Sequence, residues 1–221
     1  MKIGLFDLGL GGISIVKNLK KKFNHHYIFA CNSLKELPYN DDNLLIVSKK
    51  SIEFLIAKEC SVIVIACFTI SSNIGEKIKN LYPNIKFILN LIDNKFNKYN
   101  KQYLILTTNG GMHSNLIKNL NAKNIHIVCT PKLAKIIEED KLNAINYLRM
   151  IITQKYDYII LGCSHYYFIK KEIAKAFSAK VITYEKQIAN ELKTEKQEKL
   201  QLEVYNLDNN LNFNKFIKEV I

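Results

Sequence analysis

A chain of 221 residues with 48% hydrophobic content has room for one large α/β domain or two small ones, and no apolar run reaches the roughly 18 to 20 residues of a membrane helix. Its formal charge of +12 invites a nucleic-acid reading, but Arg149 is the sole arginine and the lysines (Lys20 to Lys22, Lys49, Lys50, Lys170, Lys171) are scattered over what read as solvent-facing helix ends. Neither a nucleic-acid partner nor a membrane is expected.

The opening Met-Lys-Ile-Gly-Leu-Phe-Asp reads as a strand and lacks the apolar core of a signal peptide, so the expected location is cytoplasmic. From there, short β-branched runs alternate with amphipathic segments, the pattern of a parallel sheet with crossover helices. The runs predict strands over 2–7, 26–31, 62–66, 86–89, 103–107, 126–129, 158–162 and 180–183. Helices are predicted over 13–22, 42–59, 71–81, 113–120, 131–138, 141–155, 167–177 and 184–192, followed by a strand over 200–205 and a helix over 213–220. Cys31, Cys60, Cys67, Cys129 and Cys163 contain no CxxC pair, which argues against a structural zinc site. With no secretory signal, a disulfide framework is also unexpected.

The order of elements repeats. Ile3-Gly-Leu-Phe-Asp7 leads through Gly11-Gly12 into a helix containing Lys17-Asn18-Leu19, and Tyr103-Leu-Ile-Leu-Thr107 leads through Gly110-Gly111 to Lys118-Asn119-Leu120. Each half then has an apolar strand that ends in a cysteine, Val62-Ile-Val-Ile-Ala-Cys67 and Tyr158-Ile-Ile-Leu-Gly-Cys163. The expected architecture is therefore α/β, two similar lobes with parallel sheets related by a pseudo-twofold. The first lobe spans 1–94 plus 193–221 and carries Asp7 and Cys67; the second spans 95–192 and carries Cys163 and His165. Ligands of parallel sheets bind beyond the strands' carboxyl ends, so the active site is expected in the cleft between the lobes.

A free cysteine is most often a buried hydrophobe. Cys67 and Cys163 instead occupy strand-to-loop positions where functional groups collect, and short polar residues follow both: Thr69, Ser71 and Ser72 after the first, Ser164 and His165 after the second. Two thiols suit proton exchange at an acidic carbon, one thiolate removing the proton while the opposing thiol delivers another. Asp7 and His165 are candidates to hold or shuttle a proton for them. Taken alone, Asp7 also reads as a metal ligand or an edge carboxylate, and His165 as a core histidine. The Gly9, Gly11, Gly12 turn departs from GxGxxG spacing, which leaves a nucleotide reading weak; the helix it opens suits a substrate carboxylate.

These residues resemble the glutamate racemases, within the aspartate/glutamate racemase superfamily. Phe6-Asp7-Leu8-Gly9-Leu10-Gly11-Gly12 resembles the family's FDSGVGG segment, Pro38-Tyr39-Asn40 its PYG, Cys67-Phe68-Thr69 its CNT, and Leu161-Gly-Cys-Ser-His-Tyr-Tyr167 its LGCTHYP; Glu138 resembles a family glutamate. The resemblance implies L/D interconversion of glutamate without pyridoxal phosphate, other cofactor or metal, supplying D-glutamate for peptidoglycan, by an enzyme that is often a homodimer. It implies Cys67 and Cys163 as the proton-transfer pair, with Asp7 and His165 supporting them. Asp7, Tyr39, Asn40, Thr69, Ser164 and His165 are implied as substrate contacts.

Departures fall in the recognition shell. Leu8 and Phe68 replace a serine and an asparagine, Asn40 and Ser164 stand for a glycine and a threonine, and Gly111 stands where a threonine is usual. A lost hydrogen bond to a charged group costs about 1.5 to 3 kcal/mol, roughly tenfold or more in binding. Two other readings follow from this: the same chemistry on aspartate or another small amino acid, and a non-catalytic binding protein derived from the racemase fold.

Overall fold

The computed structural model describes residues 1–32, 40–91, 100–120, 124–193, 195, 199–208 and 217. In chain order the elements begin with β1 (Lys2–Asp7), α1 (Gly12–Leu19), β2 (His26–Cys31), α2 (Asp41–Ala57), β3 (Cys60–Ile65), α3 (Phe68–Leu81) and β4 (Lys86–Leu89). They continue with β5 (Tyr103–Thr107), α4 (Asn109–Met112), α5 (Asn115–Lys118), β6 (Ile125–Cys129), α6 (Leu133–Glu139), α7 (Lys141–Ile151) and β7 (Tyr158–Gly162). A 3-10 turn (Ser164–Ile169), α8 (Lys170–Phe177), β8 (Lys180–Ile182), α9 (Glu185–Leu192) and β9 (Gln201–Asn206) complete the set.

The chain divides into two units, one made of Met1–Leu91 and Tyr184–Ile221, the other of Ile92–Thr183. The first holds a five-stranded sheet in the order β4-β3-β1-β2-β9, the second a four-stranded sheet in the order β6-β5-β7-β8. All pairings are parallel. Matching β1 to β5, β2 to β6, β3 to β7 and β4 to β8 turns one order into the other, so the sequence repeat is a repeat of strand order. Helix α9 packs on α1 and β4 of the first unit. The sequence reading puts that helix in the second lobe; its apolar face of Ile188, Ala189 and Leu192 is buried on the first unit, which moves the boundary to Thr183 and Tyr184.

Local chemistry explains the elements. Helix α2 starts where Asn40 accepts a hydrogen bond from the Asn43 N–H, with Asp41 and Asp42 in the first turn, the favourable end for negative charge. Its buried residues Leu44, Val47, Ser48, Ser51, Ile52 and Leu55 recur at helical spacing along one face. The central strands β1, β3, β5 and β7 are buried almost end to end, as expected of sheets covered on both faces. Each fully buried Ile or Leu of those strands contributes roughly 1.5 to 3 kcal/mol.

Several helices differ from expectation, among them α1, which ends at Leu19 rather than 22, and α8, which begins at Lys170 rather than 167. Helix α3 begins at Phe68 rather than at 71, with Cys67 as its N-cap residue and the Ser71 hydroxyl donating to the Ile65 carbonyl. The helix predicted over 113–120 is reduced to α5 (Asn115–Lys118), opened by the Ser114 hydroxyl, and a separate short helix, α4 (Asn109–Met112), opened by the Thr108 hydroxyl, precedes the predicted span. Helix α7 stops at Ile151, where Ile152 is extended, short of the predicted 155. The helix predicted over 213–220 lies outside the described residues except for Ile217.

The glycines of the first turn serve close packing, since no described glycine has a positive φ. A Cβ on Gly12 would lie 2.7 Å from the Phe29 ring and 3.0 Å from both Ala66 Cβ and Asp7 Oδ2. Gly12→Ala is therefore expected to cost about 1 to 3 kcal/mol through overpacking and to displace the Asp7 carboxylate. Equilibrium urea unfolding measures it, and an unchanged midpoint would refute the tight approach of α1 to β1.

Candidate active site

The first unit gathers its candidate groups where β1 and β3 end. The Ala66 N–H donates to the Phe6 carbonyl at 2.8 Å, so Asp7 and Cys67 follow one step later on neighbouring strands. Both are buried, as is Thr69 in the first turn of α3. Cys67 is the N-cap residue of α3, with extended backbone angles (φ −70°, ψ 117°). A helix amino terminus favours negative charge developing on a sulfur there. Two buried side chains fix this turn. Asn90, just past β4, donates to the Ala66 carbonyl at 2.6 Å, and Ser71 Oγ donates to Ile65 O while accepting the Asn90 N–H.

The apolar departures have definite places in this unit. Phe68 is buried and stacks on Tyr184, ring centroids 6.4 Å apart and planes 19° apart. Leu8 packs against the core cluster that includes Phe6 and Cys67. Asn40 is exposed and its side-chain oxygen is occupied in capping α2. Tyr39, with Pro38 of the same motif, lies outside the described residues.

In the second unit, Cys163 leaves β7 in extended conformation and caps the 3-10 turn that carries Ser164 and His165, both buried. Tyr166 anchors the turn: its N–H donates to the Cys163 carbonyl, while its buried hydroxyl bonds Thr130 Oγ1 at 2.7 Å and the Thr130 carbonyl at 3.0 Å. Burial pushes the Tyr166 phenol well above its ordinary value, so it stays a neutral donor. Thr107 at the end of β5 donates to the Gly162 carbonyl at 3.3 Å, which ties the preceding strand end.

His165 Nε2 meets Glu138 Oε1 at 2.7 Å. Burial by itself would push the imidazole down, but hydrogen bonds to Cys163 and Glu138, and the negative charge of both, lift it from 6.5 to about 10. The result is a chain of thiol, imidazolium and carboxylate within one unit. Glu138, on α6, is absent from the expected catalytic set; the sequence signal for it is only its resemblance to a family glutamate. The structure thus joins Cys163, Ser164 and His165 on one turn and adds Glu138, and it joins Asp7, Cys67 and Thr69 at one sheet edge of the other unit.

Comparison with known proteins follows from this geometry. The chain superposes on the crystal structure of glutamate racemase from Campylobacter jejuni with a TM-score of 0.79 at 22% identity, covering 100% of this chain and 96% of that one. For glutamate racemase from Francisella tularensis in complex with D-glutamate the TM-score is 0.78 at 25% identity, covering 99% and 92%. These likenesses put the fold in the class of α/β racemases, which are isomerases. A glutamate racemase of Clostridium perfringens is 32% identical over 201 residues, 81% of this chain and 76% of that protein. The chain belongs to the glutamate racemase family. No family model matches it.

The raised His165 is directly measurable. Its Cε1 proton is expected to titrate near pH 10 in the folded chain, and Glu138→Gln should lower that midpoint. Since the folded value lies above the ordinary 6.5, the stability this group adds is complete below about pH 6.5 and fades as pH rises through about 10. A wild-type midpoint at or below 7 by NMR would refute the three-group chain.

Proposed function

We propose that this protein interconverts L- and D-glutamate, with Cys67 and Cys163 as the two groups that exchange the α-proton. The observation that carries the reading is the repeat of one device: in each unit a parallel strand ends in a thiol at the start of a helical turn, with a carboxylate or an imidazolium beside it. Membership of the family supplies the substrate.

In one direction the thiolate of one cysteine takes the α-proton, leaving a planar carbanion, and the thiol of the other donates a proton to the opposite face. The reverse reaction exchanges the roles. His165, held protonated by Cys163 and Glu138, stabilises the thiolate of Cys163 and returns a proton to it between turnovers. Asp7 does the equivalent for Cys67 from the adjacent strand. Thr69 and Ser164 supply hydroxyls to the substrate, and the D-glutamate formed serves peptidoglycan synthesis. The apolar Leu8 and Phe68 remove polar contacts, so weaker substrate binding is the expected consequence, with proton transfer itself retained.

Proton washout tests this. In deuterated water the purified chain should exchange the α-proton of glutamate and interconvert its enantiomers. Cys67→Ser and Cys163→Ser should each reduce racemisation by about 10³-fold or more, the scale at which loss of a proton-transfer group shows. Racemisation at near-wild-type rate in either variant removes that cysteine from the mechanism; exchange from aspartate but not glutamate reassigns the substrate.

A further inference from the structure

The second unit has a cavity of ≈ 550 Å³ lined by Lys101, Lys155 and Lys180 together with Tyr156, Tyr158 and Ser178 around Asp157. It lies at the amino ends of β5, β7 and β8, whereas Cys163 lies past the carboxyl end of β7. The five residues of β7 separate the two by about 16 Å at ~3.3 Å per residue.

The single carboxylate of the cavity is already committed. Asp157 accepts Lys101 Nζ at 2.9 Å on one oxygen and the Gln102 N–H at 2.9 Å on the other. Its backbone carbonyl takes the Lys180 N–H at 2.9 Å, which fixes Lys180 at the rim. The bend that returns the chain there runs through Ser178, in the left-handed region at φ 50°. Lys155 and Lys180 form no ion pair with the described residues. Two positive charges therefore remain uncompensated over a concave surface that also carries the Tyr158 phenol and the Ser178 hydroxyl, the Tyr156 hydroxyl being taken up by His126 and Gln154, and concavity focuses their field. Tyr158 is kept in place by its stack on Tyr103, centroids 5.0 Å apart.

We propose that this cavity is a binding site for a phosphate-type oxyanion, held by Lys155 and Lys180, with the Lys101–Asp157 pair as its fixed wall. A doubly charged oxyanion suits two ammonium groups better than a singly charged carboxylate does, because its charge balances both lysines and leaves a further oxygen for a hydroxyl donor. Lysines also collect near helix carboxyl ends through the macrodipole alone, and α8 ends here; the experiment separates the two causes. The proposal is independent of the glutamate reading, since no residue of it takes part in proton transfer.

Inorganic phosphate is titrated into the full chain at low ionic strength and followed by 1H–15N NMR. Saturable shifts are expected at the amides of Lys155 to Tyr158 and Ser178 to Lys180, with a dissociation constant of ~1 to 10 mM. The Lys155→Gln, Lys180→Gln double variant, which removes both charges and keeps amide groups in their place, should weaken phosphate about tenfold and leave racemisation unchanged. Cys163→Ser should leave phosphate binding unchanged. The same shifts with sodium chloride at matched ionic strength, a non-saturating response, shifts centred on Ser164 to Tyr166, or full binding by the double variant would each overturn the site.

Discussion

Parallel pairing of β1 with β3, and of β5 with β7, is the constraint on which the rest of the molecule depends. When all strands run one way, their carboxyl ends collect along one edge of each sheet, and whatever residue follows a strand is delivered there by the backbone. Asp7 and Cys67 in one unit, Thr107 and Cys163 in the other, are placed by register before any side chain makes a contact. The proposed proton transfer to carbon depends on that placement. A thiol held one residue earlier on its strand would point into a helix-packed face, because successive side chains alternate.

Placement by register still leaves a turn free to move, and the two units restrain it by different means. In the first, buried amide and hydroxyl groups of Asn90 and Ser71 take up the carbonyls of Ala66 and Ile65 at the turn into α3. In the second, an aromatic side chain does the work: Tyr166 is buried beneath the turn and bonded to Thr130. Removing any of these partners would strand a buried polar group, which costs more than a hydrogen bond is worth when made.

Much of this was legible in the residues. Uninterrupted Val and Ile runs mark the buried parallel strands, and the paired Gly-Gly turns and strand-end cysteines mark the repeat, because both are local signals. Four boundaries were not legible, each for a physical reason. Ser71 lies inside α3 and spends its hydroxyl on a strand carbonyl, while the helix starts earlier at Phe68; Ser114 opens α5 two residues into the predicted span, and Thr108 opens a further turn ahead of it. Ile152 is β-branched and extended, ending α7 early. Tyr184 begins a helix whose apolar face belongs to the first unit, and nothing within residues 184–192 names the surface they bury. Glu138 is the clearest omission from the site. It reaches His165 from a separate helix 27 residues away, and its sequence surroundings are those of an ordinary amphipathic helix.

The asymmetry between the two thiols bears on how the chain has diverged. Around Cys163 the titratable partners form a set, His165 charged by its neighbours and Glu138 bonded to it, and the departures from the family pattern at this turn are Ser164 and Tyr167, neither of them a member of that set. Around Cys67 the departures are Leu8 and Phe68, apolar groups that have joined the packing, one in the core cluster and one stacked on Tyr184. Such changes alter what a substrate can hydrogen-bond to, yet leave Asp7 and the amino terminus of α3 where they were. The proposed recognition and proposed proton transfer fall to different side chains in this unit, so on that proposal the first weakens while the second persists. Tyr184 is also the residue at which the chain re-enters the first unit. Phe68, stacked on Tyr184, therefore fastens that return to the turn bearing Cys67.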